Sequence, residues 1–445
     1  MKFGGTSVGD ADAIRRLVDI VLAASHERPL VVVSAMSKVT NALVALDAAI
    51  ASGHPAIVEA GIRQLEERHF SAADALGITA SDRGALAPLF VSLRSIATSE
   101  AGQPSSPRRR DLIAGFGELL SSQLVVGAFS AAGGPASWFN ARRVIITDDH
   151  FGSAIPDENR IHENARSQLA PLLAEMIAVT QGFIGATPDG APTTLGRGGS
   201  DFSAALFGAA LGAERVEIWT DVDGLMSADP RLVPEARLLA TATYDEAAEL
   251  AAFGAKVLHP ATQLPLVEAG IPIVIRNTFA PARPGTWIRA DDNAEDALPV
   301  RSISFKPGVT VVQVRAPRML GAYGFLRRIF EVFEQHEVVV DVLATSEVSV
   351  SLTVDDVSRL EPVVRDLRLV GEVGVRGERG VIAVVGRGIR ETPGIAARVY
   401  TAIADVNVEM ISQGASASNL TFIVKEADGP AVVRALHRTF FPEVA

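Results

Sequence analysis

The sequence predicts an α/β protein: a doubly wound sheet over residues 1–290, followed by two small ferredoxin-like βαββαβ units. Three observations carry this. Short Val- and Ile-rich runs alternate with helical patterns up to the 290s. Glycine-rich turns, Gly4-Gly5 and Gly196 to Gly199, sit where strands hand over to helices. The rest of the chain repeats itself with a period of about 70 residues.

Residues 1–9 read as a strand end and a turn, and the helix predicted over 10–25 carries Ile14, Leu17, Val18, Val21 and Leu22 on one face. Residues 30–34 are a Val-rich buried strand, and 34–41 a polar turn into the next helix. This is the strand, turn, helix, strand grammar of a nucleotide-binding sheet. Lys2-Phe3 should end a strand, yet almost none precedes it. Strands run to about five or six residues, so the native chain is expected to begin upstream of Met1.

Residues 42–100 read as Ala-rich helices, and the triplet Arg108-Arg109-Arg110 as a solvated face. A helix over 111–128 holds Glu118 among Phe116, Leu119 and Leu120. A half-buried carboxylate needs a partner, either a structural arginine or the ammonium of a ligand. Strands are expected at 144–147 and 176–181, followed by the apolar run 182–186.

The chain is organised around residues 193–224. Gly196, Gly198 and Gly199 offer bare backbone; Ser200 reads as the N-cap of a small apolar helix, with Asp201 in its first turn. Gly212 closes that helix, and a strand over 216–220 ends in Asp221. A glycine-rich loop at a helix N-terminus suits an anion, and Arg197 adds a fork-shaped cation for carboxylate or phosphate. The plainer alternative is a turn between packed elements with Arg197 solvated. A helix over 244–252 and a strand over 273–275 complete the sheet.

Composition removes several classes. The 445 residues carry a net charge of −11, which argues against nucleic-acid binding. There is no cysteine, so disulfides, thiolate nucleophiles and Cys-ligated zinc are excluded, and the 8 histidines show no metal-ligand spacing. No apolar run approaches about 18 residues and no signal peptide is visible. A cytoplasmic protein without membrane association is expected.

In the repeat, Gly324 falls on Gly394, Ile329 on Val399, Phe333 on Ile403, Val338 on Val408 and Ser346 on Ser416. The run from Val350 falls on the run from Leu420. Copies this small should pack side by side, within or between chains. The organisation expected is a catalytic domain over 1–290, a linker over 291–308, and repeats over 309–378 and 379–445.

At this point the chain resembles the aspartokinases of the amino-acid kinase superfamily. The motifs are Lys2-Phe-Gly-Gly-Thr-Ser, Thr194-Leu-Gly-Arg-Gly-Gly-Ser-Asp201, Trp219-Thr-Asp-Val-Asp-Gly and Phe253-Gly-Ala-Lys-Val-Leu-His-Pro, with repeats like ACT domains behind them. The resemblance implies an amino-acid-kinase-like sheet sandwich and phosphorylation of L-aspartate by ATP with Mg²⁺. A carboxyl group would be the acceptor, in the first step towards lysine, threonine and methionine.

In that family pattern Lys2 would reach the phosphates and Asp201 would hold it in register. Arg197 would clamp a substrate carboxylate and Glu118 would pair with the α-ammonium. Ser34, Thr40 and Ser200 would donate hydrogen bonds to the substrate. The backbones of Gly4, Gly5, Gly198 and Gly199 would cradle phosphates, and Thr220, Asp221, Met226, Arg231 and Lys256 would form the nucleotide side. Met226 stands where the family often has tyrosine; a thioether can pack on a base but donates no hydrogen bond. Mg²⁺ would ride on ATP oxygens, with no protein ligand assigned. His259 is read as structural.

The tail resembles the single-activity, lysine-sensing type. Met319, Phe325, Leu326, Asp341, Thr345, Ser346 and Glu347 match its effector positions, and Ala322 replaces a hydroxyl residue there. The second copy has Ile411, Ala415 and Ala417 in place of Asp341, Thr345 and Glu347, so only the first copy offers carboxylates to a lysine ammonium. Alternatively Asp341 and Glu347 are solvated strand ends. A homodimer or homotetramer through the repeats is expected. The competing functions are a catalytically inactive amino-acid sensor and a kinase of another amino acid.

Overall fold

The structure, a computed structural model, describes residues 1–253, 260–290, 299–316 and 323–442. Lys256, His259, Met319 and Ala322 lie outside the described residues. The chain divides into two compact units, and Met226–Leu239 and residues 245–253 group with the second. The expected boundaries of 1–290 are corrected on that point. The cause is packing: Ala228 and Val233 bury their side chains in the core of the second repeat.

The first unit is built on one eight-stranded sheet. Its order is Ala136–Phe139, Ile177–Gln181, Leu30–Val33, Lys2–Phe3, Val216–Thr220, Ile273–Asn277, Thr286–Arg289 and Thr241–Thr243. The pairings are parallel except that of Thr286–Arg289 with Ile273–Asn277. Both faces are covered, so the central strands read as unbroken apolar runs rather than alternating ones. The helix Ala11–Ala23 starts where Asp10 accepts the Ala13 N–H at 2.8 Å, and buries Ile14, Leu17, Val18 and Val21.

Four expectations are corrected here. Residues 144–147 form no strand; a 3₁₀ turn at Ala141–Arg143 precedes them, and Ile146 and Thr147 make isolated bridges only. Val144 and Ile145 are apolar because they are buried, a signal that periodicity cannot separate from a strand. Arg109 of the basic triplet is not solvated; its Nε donates to Asp47 at 2.7 Å inside the fold. The helical run Pro107–Ala131 is long and apolar enough to cross a membrane, against the sequence count, but 78% of its apolar window is buried in the fold. The cap of the helix Gly199–Leu211 is Gly198, at φ 72°, and not Ser200. An αL residue at the cap favours glycine, and the shift puts Ser200 inside the first turn with its hydroxyl free of capping.

The second unit carries a six-stranded antiparallel sheet in the order Leu343–Thr345, Ser349–Val354, Ser302–Arg315, Glu372–Val385, Asn419–Lys425 and Met410–Gln413. The two long strands each serve both repeats. Val309 to Arg315 opens the first copy; Ser302 to Lys306 pairs with Val381 to Val385 and supplies the last strand of the second. A register shift between Lys306 and Val309 separates the halves. Residues 302–308 are therefore strand, and the expected linker over 291–308 is corrected. A βαββαβ unit needs its fourth strand to cover its first, and the second copy takes it from ahead of the first. Phe325, Ile329, Phe333, Val350 and Leu352 fill one core, and Val399, Leu420, Phe422 and Leu436 the other.

Candidate active site

The loops after four neighbouring parallel strands converge, as the topology of an open α/β sheet directs. Lys2–Phe3 is followed by the 3₁₀ turn Gly5–Val8, Leu30–Val33 by 34–38, Ile177–Gln181 by Phe183 and Val216–Thr220 by Asp221. The Gly4 N–H donates to the Trp219 carbonyl at 3.1 Å, the Ser34 N–H to the Phe3 carbonyl at 3.1 Å, and the Ser37 N–H to the Gly5 carbonyl at 3.1 Å. These bonds lock the turns edge to edge. A Cβ on Gly5 would lie 3.2 Å from the Ala35 carbonyl oxygen, so only glycine allows this approach without displacement. Together with Gly196 to Asp201 they enclose a crevice of about 550 Å³, the size of a small-molecule site.

Its lining includes Lys2, Gly4, Gly5, Ser34, Thr40, Glu118, Gly198, Gly199, Ser200, Asp201, Thr220 and Asp221. The structure thus brings together twelve residues that sequence reasoning singled out. Lys2 is 8% exposed and its Nζ lies 2.7 Å from an Asp201 carboxylate oxygen. Asp201 sits in the first turn of the helix, where the dipole also favours a negative charge. The pair fixes the ammonium at the mouth of two glycine-backbone turns.

Glu118 is 3% exposed; its Oε1 accepts the Ala35 N–H at 3.1 Å, while its Oε2 is buried with no hydrogen-bond partner. Burial pushes its carboxyl up to about 8, with the Ala35 N–H and the charge of Arg142 pulling the other way. Gly117 allows this placement, since a Cβ there would sit 2.7 Å from the Ala35 side chain.

Two residues, one buried and one half-buried, were missed in the sequence. Asp111, 3% exposed, accepts hydrogen bonds from the Gly152 N–H at 2.9 Å and from the Thr194 N–H and hydroxyl at 2.9 and 2.8 Å. It anchors the run into Gly196. Arg142, on the 3₁₀ turn Ala141–Arg143 ahead of the predicted strand, is the other. An acid opening an apolar helix was the one available signal for Asp111; Arg142 gave none.

Against known proteins, residues 1–277 match the amino acid kinase family and residues 382–440 an ACT domain. The lysine-sensitive aspartokinase 3 of Escherichia coli K12 is 37% identical over 448 residues, 99% of this chain and 98% of that protein. The chain belongs to the aspartokinase family. Two solved structures of E. coli aspartokinase III match this aspartokinase at a TM-score of 0.86 and 37% identity. One, with aspartate and ADP, is matched over 99% of both chains, and the other, with lysine and aspartate, over 99% and 98%.

The remaining candidate residues of this aspartokinase are placed less simply. Arg197 is exposed and outside the crevice lining, and no described carboxylate pairs with it. Met226 and Arg231 belong to the second unit. The Met226 carbonyl accepts the Ser302 hydroxyl at 2.7 Å, and Arg231 points to solvent, paired with Asp229 at 2.6 Å. Of the effector positions, Phe325 is buried in the core of the first repeat. Leu326 is partly exposed; Thr345, Ser346 and Glu347 are exposed. The hydroxyls of Ser346 and Ser349 share a hydrogen bond of 2.8 Å. Asp341 accepts from Lys306 Nζ at 3.2 Å, and the same ammonium pairs with Asp355. The protein thus already supplies a lysine to the carboxylate.

Proposed function

We propose that this aspartokinase transfers the γ-phosphoryl group of ATP to the β-carboxylate of L-aspartate, giving 4-phospho-L-aspartate and ADP. The observation that carries the reading is the meeting, in one glycine-walled crevice, of a tethered cation and a buried carboxylate with a free oxygen. The β-carboxylate is ionised at neutral pH and needs no general base. One of its oxygens forms a bond to the γ-phosphorus as the bond to the bridging oxygen of ADP breaks. The difficulty is bringing an anion to a polyanion, so catalysis is positioning plus charge neutralisation.

Lys2, held by Asp201, offsets charge on the transferred group. The backbone of Gly4, Gly5, Gly198 and Gly199 cradles the phosphates, with the Gly4 and Gly199 N–H groups fixing the two turns through the Trp219 and Gly196 carbonyls. Glu118 takes the α-ammonium of aspartate, and Ser34, Thr40 and Ser200 complete the amino-acid side. Arg197, on a loop open to solvent, would turn in to clamp a substrate carboxylate. Thr220 and Asp221 stand on the nucleotide side of the crevice, and Met226, Arg231 and Lys256 are the further positions that the family pattern assigns to the nucleotide. Mg²⁺ neutralises phosphate charge when bound. The ion is expected to ride on the nucleotide oxygens; among the described residues no cluster of three or more His, Cys, Asp or Glu could hold a metal.

L-lysine is the proposed feedback effector, read by the first repeat through Asp341, Thr345, Ser346 and Glu347, with the backbone near Phe325 and Leu326, and Met319. The catalytic domain is assigned to residues 1–290 apart from the segments noted above, and the repeats to 309–378 and 379–445. Assembly as a homodimer or homotetramer through the repeats, and a cytoplasmic setting, belong to the same proposal.

The test is ADP formation with MgATP and L-aspartate, with and without L-lysine. Turnover that depends on aspartate and is suppressed by lysine is expected. An absence of turnover despite lysine binding would replace the kinase by a sensor.

A further inference from the structure

Behind the crevice lies a second unfinished charge. Arg142 is half-buried, and its Nε and Nη2 are buried without a hydrogen-bond partner. Among the described residues it makes no ion pair within 4.0 Å, yet its charge and that of Glu118 act on one another. Glu118 for its part keeps one oxygen unpartnered. Two opposite charges, each with a buried atom that lacks a hydrogen-bond partner, thus act on one another without closing an ion pair.

The scaffold around Arg142 is specific. Asn140 accepts the Arg142 N–H at 3.1 Å, and the buried Gln181 side chain accepts the Ala141 N–H at 2.9 Å, which sets the turn. A Cβ at Gly115 would lie 2.7 Å from Arg142 Nη2, so the guanidinium occupies the space that this glycine leaves. Gly115 is the break between Pro107–Ala114 and Phe116–Ala131, three residues before Glu118 on the same chain segment. Arg142 is not among the residues lining the crevice, so it meets the substrate only through Glu118.

We propose that Arg142 is a positioning residue, the half-buried counter-charge that opposes protonation of Glu118 and so enlarges the ionised fraction able to pair with the α-ammonium of the amino-acid substrate. The inference rests on the reading of Glu118 given above. Without a counter-charge a carboxylate this deep takes up a proton, and a protonated carboxyl cannot pair with an ammonium. Arg142 stands far enough away not to neutralise Glu118 in a closed ion pair, which would leave nothing for the substrate. The other charged groups around the crevice are Lys2, Lys38, Asp201 and Asp221. Lys2 is committed to Asp201, and none of the four acts appreciably on Glu118.

The consequence is a pH signature. Burial holds Glu118 at about 8 and lowers Arg142 to about 10, each opposed by the other. Arg142 therefore stays charged through the range in which Glu118 titrates. The KM for aspartate should fall as pH rises towards the Glu118 midpoint and level off above it.

The experiment is the pH profile of the aspartate KM, from pH 6 to 9, for the full-length protein and its Arg142→Gln variant. The midpoint is expected to move up by about one unit, so that KM at pH 7 rises about tenfold while kcat at saturating aspartate stays within about twofold. Arg142→Lys, which keeps the charge, should restore most of the profile. Gly115→Ala, which displaces the guanidinium without removing it, should move the midpoint the same way and serves if Arg142→Gln fails to fold. In a Glu118→Gln background the Arg142 change should have no further effect on KM. A Glu118→Gln variant with raised KM, together with an unmoved midpoint in Arg142→Gln, would overturn the role of Arg142 alone. An unchanged aspartate KM in Glu118→Gln would overturn the reading of Glu118 and this inference with it.

Discussion

The crevice of the first unit and the acidic edge of the first repeat treat charge in opposite ways. In the crevice and just behind it, charges are buried and left incomplete: Glu118 Oε2 and Arg142 Nη2 have no hydrogen-bond partner, and Lys2 pairs with Asp201. At the edge of the first repeat Asp341 and Asp355 share the Lys306 ammonium, in side chains that reach water. An unpartnered buried charge is costly and gains most from a ligand that completes it. A paired, partly solvated charge gains little, and a ligand must displace its resident partner. The first arrangement suits a reaction site, the second a weaker, reversible sensor.

The largest effect that would sharpen this contrast is expected at Lys2. Lys2→Ala should lower kcat by about 10²–10³, the range for losing a preorganised charge at the transition state, with a much smaller change in the aspartate KM. Steady-state kinetics in both substrates checks it, and an unchanged kcat would remove Lys2 from the chemistry.

Next comes Glu118→Gln, with an aspartate KM raised about 10- to 100-fold, as for loss of a charged hydrogen bond. Its stability signature has the opposite sign. The folded carboxyl is raised from 4.5 to about 8, so between those values the native state holds a proton that the unfolded chain has released. The fold therefore loses stability as pH rises across that window. Glu118→Gln should remove this loss, which thermal melts at pH 5 and pH 8.5 would show. A wild-type melting temperature as high at pH 8.5 as at pH 5, once other groups are matched by the variant, would contradict a buried, reluctant carboxylate.

At the sensor, Asp341→Ala should weaken lysine inhibition about 5- to 150-fold, the usual span of an allosteric coupling, and spare the rate without lysine. Inhibition curves decide this, and an unshifted curve moves the effector elsewhere. The smallest effect is expected for Lys306→Ala, a loss of about 1 kcal/mol in denaturant unfolding, typical of a pair near the surface. A much larger loss would mean that the two regions handle charge alike.

How legible this was differs by residue. Glu118 could be named early because it is a charge in an apolar run, a local contradiction that needs a tertiary reason, whereas the roles of Lys2 and Asp201 came from the resemblance of their glycine-rich motifs to the aspartokinases. Arg142 carried no such contradiction, since Arg142-Arg143 reads as surface and becomes meaningful only beside Glu118 and the gap at Gly115. The pull of burial misled in the same region, where Val144 and Ile145 imitate a strand. Asp341 was legible by comparison with Ile411 across the repeat, while its partner Lys306 was hidden in a segment taken for a linker.

By itself the sequence determined the alternation of strands and helices, the glycine turns, the duplication in the tail and the residue types of the chemistry. All of these follow from local patterning: side-chain period, backbone permissiveness and repeated order. Only the tertiary structure decided which charges are left without partners and which strand completes which repeat. Those depend on what distant segments place next to a side chain. A lysine at 306 and an arginine at 142 look alike in one dimension, and differ because one meets two carboxylates at the edge of a sheet and the other is buried opposite one.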